Sequence, residues 1–429
     1  MLDLRSIRED QSRIKKDLEK RDQKDKIKWI DEIIKLDKES KNLKKQAEDL
    51  RHKRNNLSLE INNAKKEKRD LKPILEEAKS IPNKIKQIEE KQESISKKLD
   101  YYLIRIPNYL DKTVPTGKDA SENKVIRKFG KVPKISFELK NHVELIEHLG
   151  LADFDAGRKV SGQGFNYLLD DMALLDHALQ RYGVDFVLKN GFTLVVPPLM
   201  LNKDTLSGAV DLSAFEEVIY KVENEDLYLV GTAEHSLVSM FKDKILKKED
   251  LPIKVTALTP CFRKEIGGHG VDTKGLFRMH QFNKVEQVVY CHPNDSSKVL
   301  ELMQSITEKF FKSLKIPFRV IEICSGDLGG KFSKQYDIEA WFPRQNEYKE
   351  VTSCGNCTDY QARRLNIKFE YKGEKEHVHI LNNTMVATSR AMVAILENYQ
   401  QKDGSIKIPT VLQKYMYGKK KIISKKYSQ

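Results

Sequence analysis

Apolar residues spaced seven apart fix the shape of the first quarter of this chain. Trp29, Leu36, Leu43, Leu50, Leu57 and Ala64 form one seam, and Ile33, Ser40, Ala47, Arg54 and Ile61 a second. That spacing keeps one stripe of a helix turned toward a partner helix. A further run alternates steps of four and three: Ile74, Ala78, Ile81, Ile85, Ile88, Gln92, Ile95, Leu99 and Tyr102. Residues 1–104 hold no Gly, and their only aromatics are Trp29, Tyr101 and Tyr102. Pro73 suits the start of a helix, whereas Pro82 predicts a kink. Two heptad helices joined by the short turn KKEKRDLKP fold back as an antiparallel α-helical coiled-coil hairpin over about 29–104. As a helix, Trp29 to Lys66 spans roughly 57 Å, so the hairpin is an arm and not part of a core. Between Arg51 and Lys72, eight basic residues stand against three acidic ones, which makes the far end positive. A dimerisation rod and an arm that grips RNA phosphates and riboses both fit this pattern.

A chain of 429 residues exceeds one compact core, so two domains are expected. We read 1–104 as the helical domain, 105–135, rich in Pro, Gly and Lys, as a linker, and 136–429 as a globular body. The 77 basic and 63 acidic residues give a net charge of +14, which suits a polyanionic partner. Five cysteines, an odd number, do not make a disulfide framework and point to a reducing cytoplasm. The start, MLDLRSIRED, has acidic residues at once and no apolar stretch, so neither a signal nor a transit peptide is expected. No run approaches the length of a membrane span.

In the body, PCFRKEIGGHGVDTKGLFRMHQFNKVE (260–286) reads as a strand, a loop and a returning strand. Gly267, Gly268, Gly270 and Gly275 suit the connection. Alternation places Arg263 and Glu265 on one face of the first strand. It places Arg278, His280, Phe282, Lys284 and Glu286 on one face of the second. A face so charged is not buried without partners, so it either meets a polar ligand or belongs to a solvent-exposed hairpin with ordinary surface charges. Arg suits phosphate, Phe282 offers a flat surface for a base, and Glu286 an anion for an ammonium or hydroxyl. Glu286 lies roughly 13 Å from Phe282 along the strand.

Other segments carry weaker signals. A helix is expected from Leu168 to about Lys189, followed by GFTLVVPPLML at 191–201. Gly231-Thr232-Ala233-Glu234 reads as a helix start capped by Thr232. PFRVIEIC, YDIEAWFP and EYKEVTSC read as antiparallel strands. Glu350-Val351-Thr352-Ser353 ends the last of them; a carboxylate and a hydroxyl beside a triphosphate are natural Mg²⁺ ligands. Cys354 and Cys357 stand without a second CxxC, and Cys324, His377 or His379 are the only completions. Small buried thiols are therefore expected, and no zinc. NNTMVATSRAMVAILENYQQ (382–401) reads as a helix capped near Thr384 with Arg390 in its middle, where an Arg needs an anion. The tail from Val411 carries six Lys and no acid, and could be solvated or touch RNA.

Taken in order, these segments resemble the seryl-tRNA synthetases along almost the whole chain. TPCFRKE…GLFRMHQFNKVE resembles motif 2 of the class II aminoacyl-tRNA synthetases, and 168–201 motif 1. The helix with Arg390 resembles motif 3, TAE the serine loop, and LIRIPN and VPTGKDASEN the junction of arm and body. The NNT start is closer to archaeal and eukaryotic cytosolic members, with Asn383 where bacterial ones favour Gly. The resemblance implies an α+β fold, with the coiled-coil arm plus an antiparallel β-sheet catalytic domain with flanking helices. It implies a cytoplasmic homodimer that makes seryl-adenylate from L-serine and ATP with Mg²⁺, then charges tRNA(Ser) held by the arm. Charging of tRNA(Sec) is left open.

By the same resemblance Arg263 and Arg390 are catalytic, and Phe282 and Arg390 sandwich adenine. Lys264, Glu265, Met279, Glu350, Val351, Thr352 and Ser353 complete the ATP contacts, with Glu350 and Ser353 on the metal. Thr232, Ala233, Glu234, Arg263, Glu286 and Thr384 select serine. Two alternatives remain: an inactive paralogue, and a coiled-coil RNA-binding or scaffold protein.

Overall fold

The computed structural model describes residues 1–210, 217–264 and 275–424. The chain divides into two compact units, Met1–Pro107 and Asn108–Gln429.

The first unit is helical. Two short helices, α1 (Leu4–Glu9) and α2 (Gln11–Lys20), precede α3 (Ile27–Lys66) and α4 (Lys72–Arg105). The last two form the hairpin that the heptads predict. Ile33, Leu36, Leu43, Ala47, Leu57 and Ala64 are buried on α3, and Ile81, Ile85, Ile95 and Leu99 on α4. Ser40 is half-buried and Arg54 exposed, so the seam loosens where its members are polar. Trp29 is also half-buried; it packs against Tyr101 and Tyr102 at ring separations of 6.3 and 5.5 Å, while Ile30 takes the buried position. Pro73 stands in the first turn of α4, where no backbone donor is needed, and Pro82 lies inside α4 without ending it.

The second unit is built on an eight-stranded sheet. Its strands are β1 (Lys124–Phe129), β2 (Thr193–Leu194), β3 (Ile253–Phe262), β4 (Gln281–Cys291), β5 (Phe318–Glu322), β6 (Lys334–Phe342), β7 (Glu347–Asn356) and β8 (His379–Ala387). Their order is β1-β5-β6-β7-β8-β4-β3-β2. All neighbours are antiparallel except β2, which lies parallel to β3. Residues 105–135, expected to be a linker, contribute β1. It is an edge strand with little burial, and so carries no apolar alternation to betray it.

Helices α5 (Asp170–Leu188), α7 (Ser296–Leu314) and α8 (Thr388–Tyr399) cover one face of the sheet. Val285 and Val289 of β4 join their core, together with Met172, Leu175, Phe310 and Ile395. A Cβ on Gly183 of α5 would stand 2.9 Å from Val386, so only Gly lets this helix approach β8 as it does. Val288 and Tyr290 point the other way, into a second core with Val255, Ala257, Leu237 and Phe369. Toward the start of β4 that same face turns from apolar to charged at Glu286 and Lys284.

Two bulges interrupt the ladders. Ile338 pairs with Thr352 and Glu339 with Glu350, which leaves Val351 as the extra residue. Thr384 pairs with Glu286 and Val386 with Val285, which leaves Met385 extra. A bulge re-aims the side chains beside it.

Candidate active site

The expected strand–loop–strand is present as β3 and β4, but β4 begins at Gln281, so Arg278 and His280 precede it. The backbone N–H of Arg263 donates to the His280 carbonyl at 2.9 Å and carries the pairing one step past β3. Glu265 and the loop glycines Gly267, Gly268 and Gly270 lie outside the described residues.

A small open cleft lies beside this hairpin. Arg263, Met279, Phe282, Glu350, Val351, Thr352, Thr384 and Arg390, all named from sequence, line it. Lys264 does not; its ammonium lies 5.5 Å from the ring centroid of Tyr220. Arg390 stands at the third position of α8, not in its middle, and donates to the Glu350 carbonyl at 3.1 Å and carboxylate at 3.0 Å. The helix starts later than expected because residues up to Ala387 pair with β4. Thr384 is therefore a strand residue opposite Glu286 and caps nothing.

The Arg390 guanidinium lies 5.3 Å from the Phe277 centroid, and that of Arg263 5.5 Å from Phe282. Arg278, placed on the charged face by sequence, also lines the cleft, and so does Phe277, which no sequence signal marks; both precede β4, which begins at Gln281. Arg263 is fixed by its Nε, which donates to the Gly231 carbonyl at 2.9 Å.

Ser353 stands opposite Asp337 across β6 and β7. Burial raises the Asp337 carboxyl well above its usual range, and nearby Glu350 adds to the effect. Among the described residues no group of three His, Cys, Asp or Glu side chains could hold a metal by itself. Cys354 and Cys357 are buried in different apolar clusters. Burial pushes the Cys357 thiol up to about 12. Asn383 is fully buried and donates to Gln287 at 3.0 Å and Thr307 at 2.7 Å, so it braces β8 from behind.

Next to the cleft is a buried polar nest. Thr232 caps α6 (Ala233–Val238): its Oγ1 accepts from the Glu234 N–H at 3.2 Å, as its position before an acidic first turn predicts. Ala233 is fully buried beside it. Glu286 Oε1 accepts from Lys284 Nζ at 3.0 Å and from the hydroxyls of Thr232 and Thr384 at 3.4 Å each. Its Oε2 is buried with no hydrogen-bond partner, an acceptor left waiting for a donor. Burial raises the Glu286 carboxyl, against the pull of Lys284.

Glu234 accepts from Lys331 and from Gln361 Nε2, the latter at 3.0 Å. Burial alone would raise it; Lys331, then His235 and Lys284, overcome that and hold it down to about 2. His235 is lowered too, to about 3, but here burial is the cause, because it disfavours the charged imidazolium. Lys284, Lys331 and Gln361 received no role from the sequence. Only the alternation of β4 gave a signal, and that for Lys284 alone.

Residues 219–399 match the family described as "tRNA synthetase class II core domain (G, H, P, S and T)", and residues 1–110 the "Seryl-tRNA synthetase N-terminal domain". The serine–tRNA ligase of Methanospirillum hungatei is 48% identical over 98% of this chain and 99% of its own length. The crystal structure of seryl-tRNA synthetase from Pyrococcus horikoshii complexed with ATP superposes with a TM-score of 0.93 at 45% identity. That match covers 99% of this chain and 100% of the other. The cytoplasmic serine–tRNA ligase of Naegleria fowleri in complex with AMP gives 0.86 at 34% identity, covering 99% of each chain.

Proposed function

Since the chain belongs to the seryl-tRNA synthetases, class II enzymes with serine–tRNA ligase activity, we propose how its own residues carry out that reaction. The cleft beside Arg263, Phe282 and Arg390 takes ATP, as the Pyrococcus relative was crystallised with it. The serine carboxylate attacks the α-phosphorus; a P–O bond forms and the bond to pyrophosphate breaks. No general base is needed, because the nucleophile is already an anion at neutral pH. Catalysis is therefore positioning and charge stabilisation. Arg263 faces the α-phosphate as charge builds, with its guanidinium held beside Phe282. Arg390 leaves Glu350 to meet the nucleotide, with adenine between it and Phe282. Met279, Val351 and Thr352 shape the walls. Lys264 and Glu265 are kept as further ATP contacts in this reading.

Glu350, which lines the cleft, and Ser353, which does not, would offer Mg²⁺ hard oxygens, and phosphate oxygens would have to complete the set. When bound, the ion would neutralise phosphate charge. The cysteines are not zinc ligands in this reading, since their sulfurs lie in separate clusters.

One observation carries the serine assignment: the partnerless Oε2 of Glu286 beside the hydroxyls of Thr232 and Thr384. A small amino acid with both an ammonium and a hydroxyl supplies the missing donors, and alanine would leave an acceptor unpaired. Glu234 and Ala233 form the ammonium side, with Arg263 toward the carboxylate. In the second step the tRNA 3′ hydroxyl attacks the acyl carbon and AMP leaves.

The arm, residues 1–104, holds tRNA(Ser), and 136–429 is the catalytic domain of a homodimer. The exposed apolar residues Leu188, Leu194, Val196 and Met200 around motif 1 support that dimer. All five cysteines are free thiols, which fits the cytoplasm. Among the described residues no helix is long and apolar enough to cross a membrane.

Serine-dependent ATP–pyrophosphate exchange tests the reading. Arg263→Ala should lower exchange on the order of 10²–10³-fold with an unchanged melting temperature, whereas a non-catalytic scaffold shows no exchange in either protein.

A further inference from the structure

Lys331 lies in the segment between β5 and β6, apart from every motif, yet it reaches the carboxylate of Glu234. Its side chain is only 24% exposed, and its ammonium also lies 4.7 Å from the Phe332 centroid. The backbone beneath it is pinned: Asn108 donates from its N–H to the Gly330 carbonyl at 2.7 Å and from Nδ2 to the Lys331 carbonyl at 3.0 Å. A flexible lysine has thus been given a fixed root, an aromatic wall and one anionic partner. A solvent-facing surface lysine needs none of these.

We propose that Lys331 is a positioning residue of the serine site, which holds Glu234 ionised and aimed for the substrate ammonium and acts on substrate only through that carboxylate. This rests on the reading that Glu234 takes the ammonium of serine. Glu234 is 6% exposed, and a carboxyl so placed takes up a proton unless a cation opposes it. A protonated Glu234 offers a hydroxyl where an anion is needed. The neighbours pull on Glu234 less than Lys331 does. Gln361 is neutral, and burial keeps His235 uncharged at neutral pH. Lys284 is committed to Glu286, and Arg263 to the Gly231 carbonyl and the carboxylate side. The Cys357 thiol near Lys331 is likewise neutral. When serine arrives, its ammonium joins Lys331 on a carboxylate with two oxygens.

Steady-state pyrophosphate exchange with the full chain, run beside a thermal melt, tests this. Lys331→Met keeps the length of the side chain and removes its charge. It should raise the KM for serine roughly tenfold and leave the KM for ATP unchanged. The rise should be larger at pH 6 than at pH 8, because the unopposed Glu234 now titrates. An unchanged or lowered serine KM, or an equal rise for ATP, overturns the proposal. Glu234→Gln, measured alone, separates the two questions. If it leaves the serine KM unchanged, the assignment of Glu234 fails. If it raises the KM while Lys331→Met does not, only the role of Lys331 fails. Should Lys331→Met not fold, the double variant Glu234→Gln/Lys331→Met carries the test. It should match Glu234→Gln, and a further loss above about twofold overturns the proposal.

Discussion

The arm and the body treat charge in opposite ways. In the arm, the buried positions of the seam between α3 and α4 are apolar, and the ion pairs that bridge the two helices are exposed: Arg51 with Glu89 at 2.7 Å and Lys91 with Glu39 at 3.0 Å, all at least a third exposed. In the body, Glu234, Glu286 and Lys284 are buried, and Lys331 closes the set. Exposed pairs contribute about 0–1 kcal/mol, so the arm would stand without them. Buried charges are costly to desolvate and are weak evidence of stabilisation. Their place beside an unpartnered carboxylate oxygen supports the proposal that they are kept for a charged substrate. In that reading the arm presents charge to a large partner, and the body reserves it for a small one.

Removing one region is the bluntest way to break that comparison. Deletion of residues 30–100 should abolish charging of tRNA(Ser) and leave pyrophosphate exchange near the full-length rate. Charging retained by the truncated protein would remove the role given to the arm. The next effect is confined to the body. Glu286→Ala strands Lys284, 7% exposed, without its carboxylate. A loss of about 3–5 kcal/mol in urea unfolding is expected, together with loss of exchange. A variant as stable as the parent would show that water already reaches this pair.

The same contrast explains what could be read from sequence. The arm is local: most buried positions of its hairpin, Leu57 and Ile85 among them, follow from the heptad steps, and the exceptions, Ile30, Asp37 and Leu103, stand one residue from a seam position. Even its failure is local, since Trp29 leaves the seam to pack on Tyr101 and Tyr102. The site is not local. Glu234 meets Lys331, 97 residues away, and Gln361, 127 away, and no periodicity links them. Bulges at Val351 and Met385 add to the difficulty, because they break the simple alternation of a strand. The apolar run from Asn382 reads as one helix with Thr384 near its cap, although Thr384 is a strand residue facing Glu286. Motif order conveyed the chemistry, but the counter-ions that keep it charged needed coordinates.

Acid sharpens the comparison with a smaller effect. His235 is held at about 3 against an ordinary 6.5, and Glu234 at about 2 against 4.5. In each case the unfolded chain binds the extra proton, so both contributions are present at neutral pH and lost on acidification. That of His235 fades as pH falls from 6.5 toward 3, and that of Glu234 from 4.5 toward 2. Glu286, raised by burial, works the other way as pH rises above its unfolded value. The two tryptophans report separately, Trp29 in the arm and Trp341 in the body. Melting followed through Trp341, with Trp29→Phe as background, should fall between pH 7 and pH 5, and His235→Gln should flatten that slope. A body signal flat over this interval would place His235 in contact with solvent.

The smallest effect tests the outside of the arm. Glu89 is 52% exposed and bonds Arg51 across the hairpin. Glu89→Gln should change arm stability by less than about 0.5 kcal/mol, since salt and water already screen the pair. Its consequence for RNA has a definite sign. With Glu89 neutralised, an RNA phosphate no longer competes with an internal anion for Arg51, so tRNA binding at low salt should tighten slightly. Arg51→Gln does the reverse: it removes one cation, and the slope of log K against log salt should become shallower by about 0.7–0.9. Filter binding from 50 to 300 mM salt measures both. If Arg51→Gln lowers affinity equally at every salt concentration, the contact is not to phosphate. If it destabilises the hairpin by more than about 1 kcal/mol in a denaturant melt, the pair is structural after all. The arm would then resemble the body in the one respect on which the comparison depends.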